Sequence, residues 1–218
     1  MIRHCAAPAA TKLAKPAPAR QMRTIIAAVP GDDGLMDSMS PSPMVSESAV
    51  LIPVPEAEGV VSGHRDRLDR AAAWGVPAHV TVLYPFLAPS AITAAAIASL
   101  ADAVGSISAF DCEFAATAWF SEEVIWLAPR PDQPFRALTQ AVSVAFPGFL
   151  AYGGVYDDVV PHLTVGDRPA SGVTELRAAE AEVLRWLPIR AHISHVWLMT
   201  GHAAPGSWQA VAELPLAG

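Results

Sequence analysis

From residue 48 the chain alternates between two apolar rhythms. "SAVLIPV" (48–54) is rich in β-formers and bounded by Pro53 and Pro55, which predicts a strand. Residues 56–74 carry Val61, Leu68 and Ala72 at helical spacing, with "RDRLDR" as the wet face. Gly75 and Pro77 stop that helix, and "HVTVLYPF" (79–86) predicts the next strand, closed by Pro85. Ser90 is the expected N-cap of a helix that places Ile92, Ala96, Leu100 and Val104 on one side and ends at Gly105.

The second half repeats the rhythm. "FDCEFAATAWF" (110–120), a turn at "SEE" and "VIWLAP" (124–129) predict a hairpin. Asp132 and Pro134 open a helix with a Phe135, Leu138, Val142 and Phe146 stripe, ended by Pro147 and Gly148. Residues 150–161 read as a Gly-rich, acidic loop and "HLTVGD" (162–167) as a strand. A helix is expected over 172–187, carrying Leu176, Ala179, Val183 and Leu187. "IRAHISHVWLM" and "SWQAVAEL" are expected as two closing strands turning at "TGHAAPG".

These elements contain an internal echo. Strand, proline, helix, loop and a strand bearing His-x-Thr occur twice, as "P-x-H-V-T-V" and as "P-H-L-T-V". A repeated layout predicts two lobes related by a pseudo-twofold axis, roughly 46–108 and 109–218, able to exchange strands and facing one cleft. Residues i and i+2 of a strand share a face. His79 and Thr81 therefore point one way, as do His162 and Thr164, with Val80, Val82, Leu163 and Val165 opposite them. Seven His and nine Thr among 218 residues give about 0.3 His-x-Thr by chance. Two, at matching places in a repeat, point to a site.

Composition narrows the picture. The first 45 residues are rich in Ala, Pro and Ser and read as a disordered tail. Translation starting at Met44 would begin the domain at its first strand. From residue 46 onward nine Arg face 18 Asp and Glu, a formal charge of −9. That balance argues against gripping long duplex nucleic acid by its phosphates. No apolar run reaches membrane-spanning length. Cys5 and Cys112 form no disulfide framework, which suits a reducing cytoplasm.

The quoted motifs carry a resemblance. "HVTV" (79–82), "HLTV" (162–165) and "YGGVYDDVVPHLTV" resemble the 2H phosphoesterase superfamily, the 2′-5′ RNA ligase-like proteins, over residues 46–218. The resemblance implies a bilobal α+β fold, with two antiparallel sheets lining a central cleft and helices outside. It implies a phosphodiesterase acting on 2′,3′-cyclic phosphates or 2′-5′ bonds of RNA ends or small nucleotides, without metal or other cofactor, expected as a monomer. His79 and His162 would share the acid and base roles, and Thr81 and Thr164 would hold the phosphate. Relatives place a basic residue close behind the second motif. Here Gly166 and Asp167 intervene before Arg168, the candidate for that role. A non-catalytic binder of nucleotides or RNA ends that keeps the fold is the alternative. A protein-interaction module using the acidic surface is a third reading.

Further candidates lie near the motif strands. Tyr84, Tyr152 and Tyr156 offer rings for stacking a base, against core or loop packing. Trp119 and Phe120 offer a cleft wall, against edge packing. Trp126 and Trp197 read as core, and His195 as a satisfied core histidine. His192, His195 and His202 lack a carboxylate or cysteine at ligand spacing, so no metal site is expected.

Overall fold

Strand β1 (Glu47–Pro53) ends at the expected prolines, and Pro55 opens helix α1 (Pro55–Leu68) in its first turn. The computed structural model describes residues 46–154, 159–167 and 172–218. The expected N-terminal tail, Tyr156 and Arg168 lie outside those residues. The predicted 56–74 helix breaks at Asp69, whose backbone is extended at φ −130°, ψ 112°. Its carboxylate accepts the Ala71 N–H at 2.9 Å and caps a separate single turn, α2 (Arg70–Ala73).

After β2 (His79–Leu83) the expected Ser90 cap is displaced. Pro89–Ala91 form a short 3-10 turn, and Thr93 accepts the Ala96 N–H at 3.2 Å to start α3 (Ala94–Val104). The hairpin β3 (Phe110–Phe120) and β4 (Val124–Arg130) follows, then α4 (Gln133–Ala145) and β5 (Leu163–Asp167). Helix α5 (Val173–Val183) ends earlier than expected, in a 3-10 turn over Leu184–Trp186. Pro188 forces Leu187 into extended backbone at ψ 147° and so stops the helix.

The closing strand expected over 189–199 is two strands. β6 (Ile189–Ile193) pairs with β3, while β7 (His195–Gly201) pairs with β1, and β8 (Gln209–Pro215) follows on β7. Ser194 is the crossing point. Its consequence for the histidines is plain. His192 is exposed, with Nδ1 2.7 Å from Asp111 Oδ1. His195 is half-buried, 3.7 Å from Glu213, and not a core residue. Trp197 is likewise half-buried rather than core.

All eight strands are antiparallel in the order β6-β3-β4-β5-β2-β1-β7-β8. The motif strands β2 and β5 meet at the centre through one registered pair, Val80 and Leu163. The four-stranded sets on either side meet along that seam and are also tied where Ala217, after β8, bridges to Ser108, before β3. Helices cross the seam. α1, which precedes β2, packs behind β5 and β6, whereas α4, which precedes β5, packs behind β2. Val61, Leu68, Val80, Leu138, Val142, Leu163, Val165 and Leu176 are buried in this helix-covered core. Gly166 is required there. A Cβ on it would lie 2.8 Å from Leu68 Cβ and 2.9 Å from Leu176 Cδ2, so any side chain would push α1 and α5 off β5.

Candidate functional site

Period-two alternation places the motif side chains. Val80, Val82, Leu163 and Val165 are buried beneath the helices, and His79, Thr81, His162 and Thr164 are half-exposed on the other face. Antiparallel pairing of Val80 with Leu163 sets His79 opposite Thr164 and Thr81 opposite His162. Directly opposed residues lie about 5 Å apart at Cβ, and the diagonal His79–His162 separation is about 7–8 Å. Two imidazoles and two hydroxyls thus form one four-cornered patch astride the seam.

Each histidine is fixed in the same way. His79 Nδ1 lies 2.7 Å from the Pro77 carbonyl oxygen, and His162 Nδ1 lies 2.8 Å from that of Val160. A carbonyl only accepts, so Nδ1 carries the proton in both rings. The second nitrogen, Nε2, then offers a lone pair when the ring is neutral and a donor when it is charged.

Burial favours the neutral form. It pulls the His79 pKa from 6.5 down to about 4, helped by the buried Arg65 guanidinium and partly opposed by the Pro77 carbonyl and Asp69. The His162 pKa is also lowered by burial, with the Val160 carbonyl opposing it. Both rings are therefore neutral at pH 7. An anionic group lying between them would raise both values and place a proton on one Nε2.

His162 sits in an aromatic frame. Phe120 meets it edge-on at 4.9 Å between centroids, Trp126 at 5.8 Å, and Tyr152 lies nearly parallel at 6.4 Å. Tyr152 reaches that position through a left-handed backbone at φ 53°, and its N–H donates to the Tyr84 carbonyl at 2.7 Å. Trp126 is buried, as expected, but under the motif face and not under the helices. It is paired with Thr164, which turns its indole to the motif face. Trp119 is a correction in the opposite sense. It pairs with Ile125, fully buried under the helices, and so faces away from the motif patch. Its indole N–H donates to Glu180 at 2.8 Å, and Arg177 stacks over its ring at 4.1 Å.

Tyr84 lies on the motif face but is committed elsewhere. Its hydroxyl donates to Glu47 at 2.6 Å, and its ring packs towards Trp208, 6.4 Å away. Burial and the Glu47 carboxylate push its pKa well above 10. Beside His162 a cavity of about 450 Å³ runs along β4, lined by Trp126, Ala128, Arg130, Asp132, Gln133 and Pro161. None of these six was singled out from sequence for ligand contact. The available signal was the alternation of β4, which puts Trp126, Ala128 and Arg130 on the motif face. Among the described residues no three His, Cys, Asp or Glu side chains gather as metal ligands, and no helix is long and apolar enough to cross a membrane.

Comparison with known proteins bears on the fold and the family. No curated protein matches the chain by sequence. A solved structure from Thermus thermophilus is 15% identical, with a TM-score of 0.55, covering 79% of this chain and 98% of that one. A second, described as a phosphoesterase, is 16% identical, with a TM-score of 0.52, covering 79% and 99%. LigT of E. coli in its apo form is 15% identical, with a TM-score of 0.50, covering 80% and 99%. At such identities these likenesses establish the fold, the 2H phosphoesterase fold. The sequence family described as the 2′-5′ RNA ligase superfamily matches residues 53–205, most of the described chain, and the protein belongs to that superfamily.

Proposed function

We propose that the protein is a phosphodiesterase that opens 2′,3′-cyclic phosphates or cleaves 2′-5′ phosphodiester bonds, at RNA ends or on small nucleotides. The observation that carries this reading is the duplicated histidine setting: two rings on one patch, each with Nδ1 tied to a backbone carbonyl and Nε2 left to react. In-line hydrolysis needs a base on one side of phosphorus and an acid on the other. One Nε2 takes a proton from water as its oxygen bonds to phosphorus. The other Nε2 gives a proton to the ribose oxygen as the P–O bond breaks. The proton lost by one ring and gained by the other is exchanged with solvent after product leaves.

The remaining groups fit the same step. Thr81 and Thr164 hydroxyls would donate to the non-bridging oxygens, where negative charge collects. The phosphodiester is the anion that offsets the low histidine pKa values. The cavity along β4 has room for a nucleoside, with the Trp126 ring beside it. The −9 charge beyond residue 46 favours short substrates over long polyanions.

The test is incubation of purified protein with nucleoside 2′,3′-cyclic monophosphates and with 2′-5′-linked dinucleotides, in EDTA. Turnover that falls by about 10²–10⁴ in His79→Ala and in His162→Ala, with folding intact, supports the proposal. Binding without turnover would instead mark a nucleotide-binding protein. Near-wild-type activity in both single variants would sink the two-histidine mechanism.

A further inference from the structure

The carbonyls that hold the two histidines are themselves set by a pair of arginines. Arg65 on α1 donates from Nη2 to the Val76 carbonyl at 3.1 Å. Arg136 on α4 donates from Nη1 to the Val159 carbonyl at 3.1 Å. Val76 precedes His79 by three residues, and Val159 precedes His162 by three. Each arginine is also held by a carboxylate four residues away, at the cap position of its own helix. Arg65 Nη2 and Nε lie 2.9 and 3.0 Å from Asp69, and Arg136 Nε lies 2.8 Å from Asp132. The two halves thus build the same relay: carboxylate, arginine, carbonyl three before the histidine, then carbonyl two before it accepting from Nδ1.

The backbone between these carbonyls is short and stiff. The Val76 carbonyl and the Pro77 nitrogen share one planar peptide. Proline fixes its own φ near −65°. Once Val76 O is held, one dihedral, ψ of Pro77, remains before the oxygen that receives His79 Nδ1–H. In the second motif the proline is one residue later. Val159 O fixes the plane leading to Val160, and Pro161 restricts ψ of Val160. The oxygen that receives His162 Nδ1–H is then aimed by φ of Val160 alone. Glu58 adds to the first relay by accepting the Ala78 N–H at 2.6 Å.

We infer that Arg65 and Arg136 are matched positioning residues, which hold His79 and His162 in the Nδ1–H tautomer with Nε2 aimed at the substrate. This inference rests on the two-histidine reading of the site. Neither arginine is placed to touch substrate through these bonds; each acts through a peptide plane. The pair is invisible as a repeat in the sequence. Arg65 precedes its carboxylate in "RDRLD", whereas Arg136 follows its own in "DQPFR". Only the fold brings both guanidinium groups to equivalent carbonyls.

The two clamps differ in exposure, and that decides the experiment. The Arg65 side chain is 2% exposed, so its removal leaves Asp69 buried and unpaired. The Arg136 side chain is 38% exposed, so its ion pair adds little to stability. Full-length protein carrying ¹⁵N-histidine is compared with Arg136→Met and Arg136→Lys at pH 8, where His162 is neutral. His162 is expected to carry its proton on Nδ1 in the wild type and to populate the Nε2–H tautomer in Arg136→Met. On a nucleoside 2′,3′-cyclic monophosphate, kcat should fall about tenfold or more with KM within about twofold. Lysine keeps the charge beside Asp132 but lacks the fork that serves Asp132 and Val159 together. Arg136→Lys should therefore behave as the methionine variant does.

Arg177→Met, which removes an exposed pair with Glu180, should leave His162 and turnover unchanged. The double variant Arg65→Met/Asp69→Asn gives the matching reading at His79. A wild-type His162 tautomer in Arg136→Met overturns the inference, and so does full rescue by lysine. If no form of the protein turns over any cyclic phosphate, the functional reading fails, while the tautomer measurement still decides the clamp.

Discussion

Phe120 stands edge-on to His162, ring centroids 4.9 Å apart and planes at 88°. The positive edge of one ring meets the face of another, and water is kept from that side of the imidazole. Burial is the largest cause of the lowered His162 pKa. Phe120→Ala should admit water and raise that pKa toward 6.5, as read by NMR titration of the ring. An unchanged titration would mean that Trp126 and Tyr152 provide the burial instead.

Turnover should have an acid-shifted bell. In the proposed two-histidine mechanism the active form needs one neutral and one protonated histidine, and both pKa values lie below 6.5 in the free protein, His79 at about 4. The kcat/KM profile reports the free enzyme. Its maximum is expected below pH 6.5, with the kcat profile displaced upward by the bound anion. A kcat/KM optimum above pH 7 on a cyclic phosphate would contradict this.

Thr81→Val and Thr164→Val keep side-chain volume and remove one hydroxyl each. If the hydroxyls donate to the phosphoryl oxygens, each change should lower kcat by about 10²–10³. Serine at the same positions should restore most of it. Kinetics of the four variants on one substrate checks the assignment.

Stability should respond to pH through two opposed groups. His79 is protonated near 6.5 when unfolded and near 4 when folded. Its contribution is complete above pH 6.5 and is lost as pH falls to about 4. Asp167 is raised from 3.8 to about 6 by burial and by Asp69, so its contribution is present below 3.8 and lost as pH rises through 6. Asp167 Oδ1 is also buried without a partner among the described residues. Asp167→Asn should stabilise the protein above pH 6 by about 1 kcal/mol and leave a stability that rises steadily from pH 4 to 6.5. Urea melts across that range measure both.

Leu163 is fully buried at the seam. Leu163→Ala should cost about 2–5 kcal/mol, as should Leu138→Ala behind β2. The two should differ in catalysis. Leu163 pairs with Val80 and sets the spacing of the motif strands, so its loss should also lower kcat at temperatures where both variants are folded. Denaturation and kinetics on the same samples separate the effects.

Much of the site was legible because its signals are local. Alternation in "HVTV" and "HLTV" put the four motif side chains on one face, and their repetition pointed to one shared patch. The same parity rule reaches Trp126, but only once β4 is registered against β5, and no short-range signal fixes that register. Trp119 and Phe120 are adjacent and face opposite ways; the sequence offers both, and only the pairing of Trp119 with Ile125 selects. Ser194 breaks one apolar run into strands of different sheet halves because each finds a different partner, a long-range fact. Thr93 replaced Ser90 because both can cap and the chain took the later one. The arginine relays were hidden for the same reason as Trp126: their partners lie 11 and 23 residues away.

The crossing of the helices has a last consequence. α1 rests behind β5 and α4 behind β2, so pulling the motif strands apart would shear both helices across the sheet. The distance between the histidines is therefore a backbone dimension, set where Val80 meets Leu163. Such a site behaves as a fixed gauge and not as a pair of jaws. On the proposed function, a substrate would be selected by whether its phosphorus fits the gap that already exists, and product would leave without waiting for the halves to part.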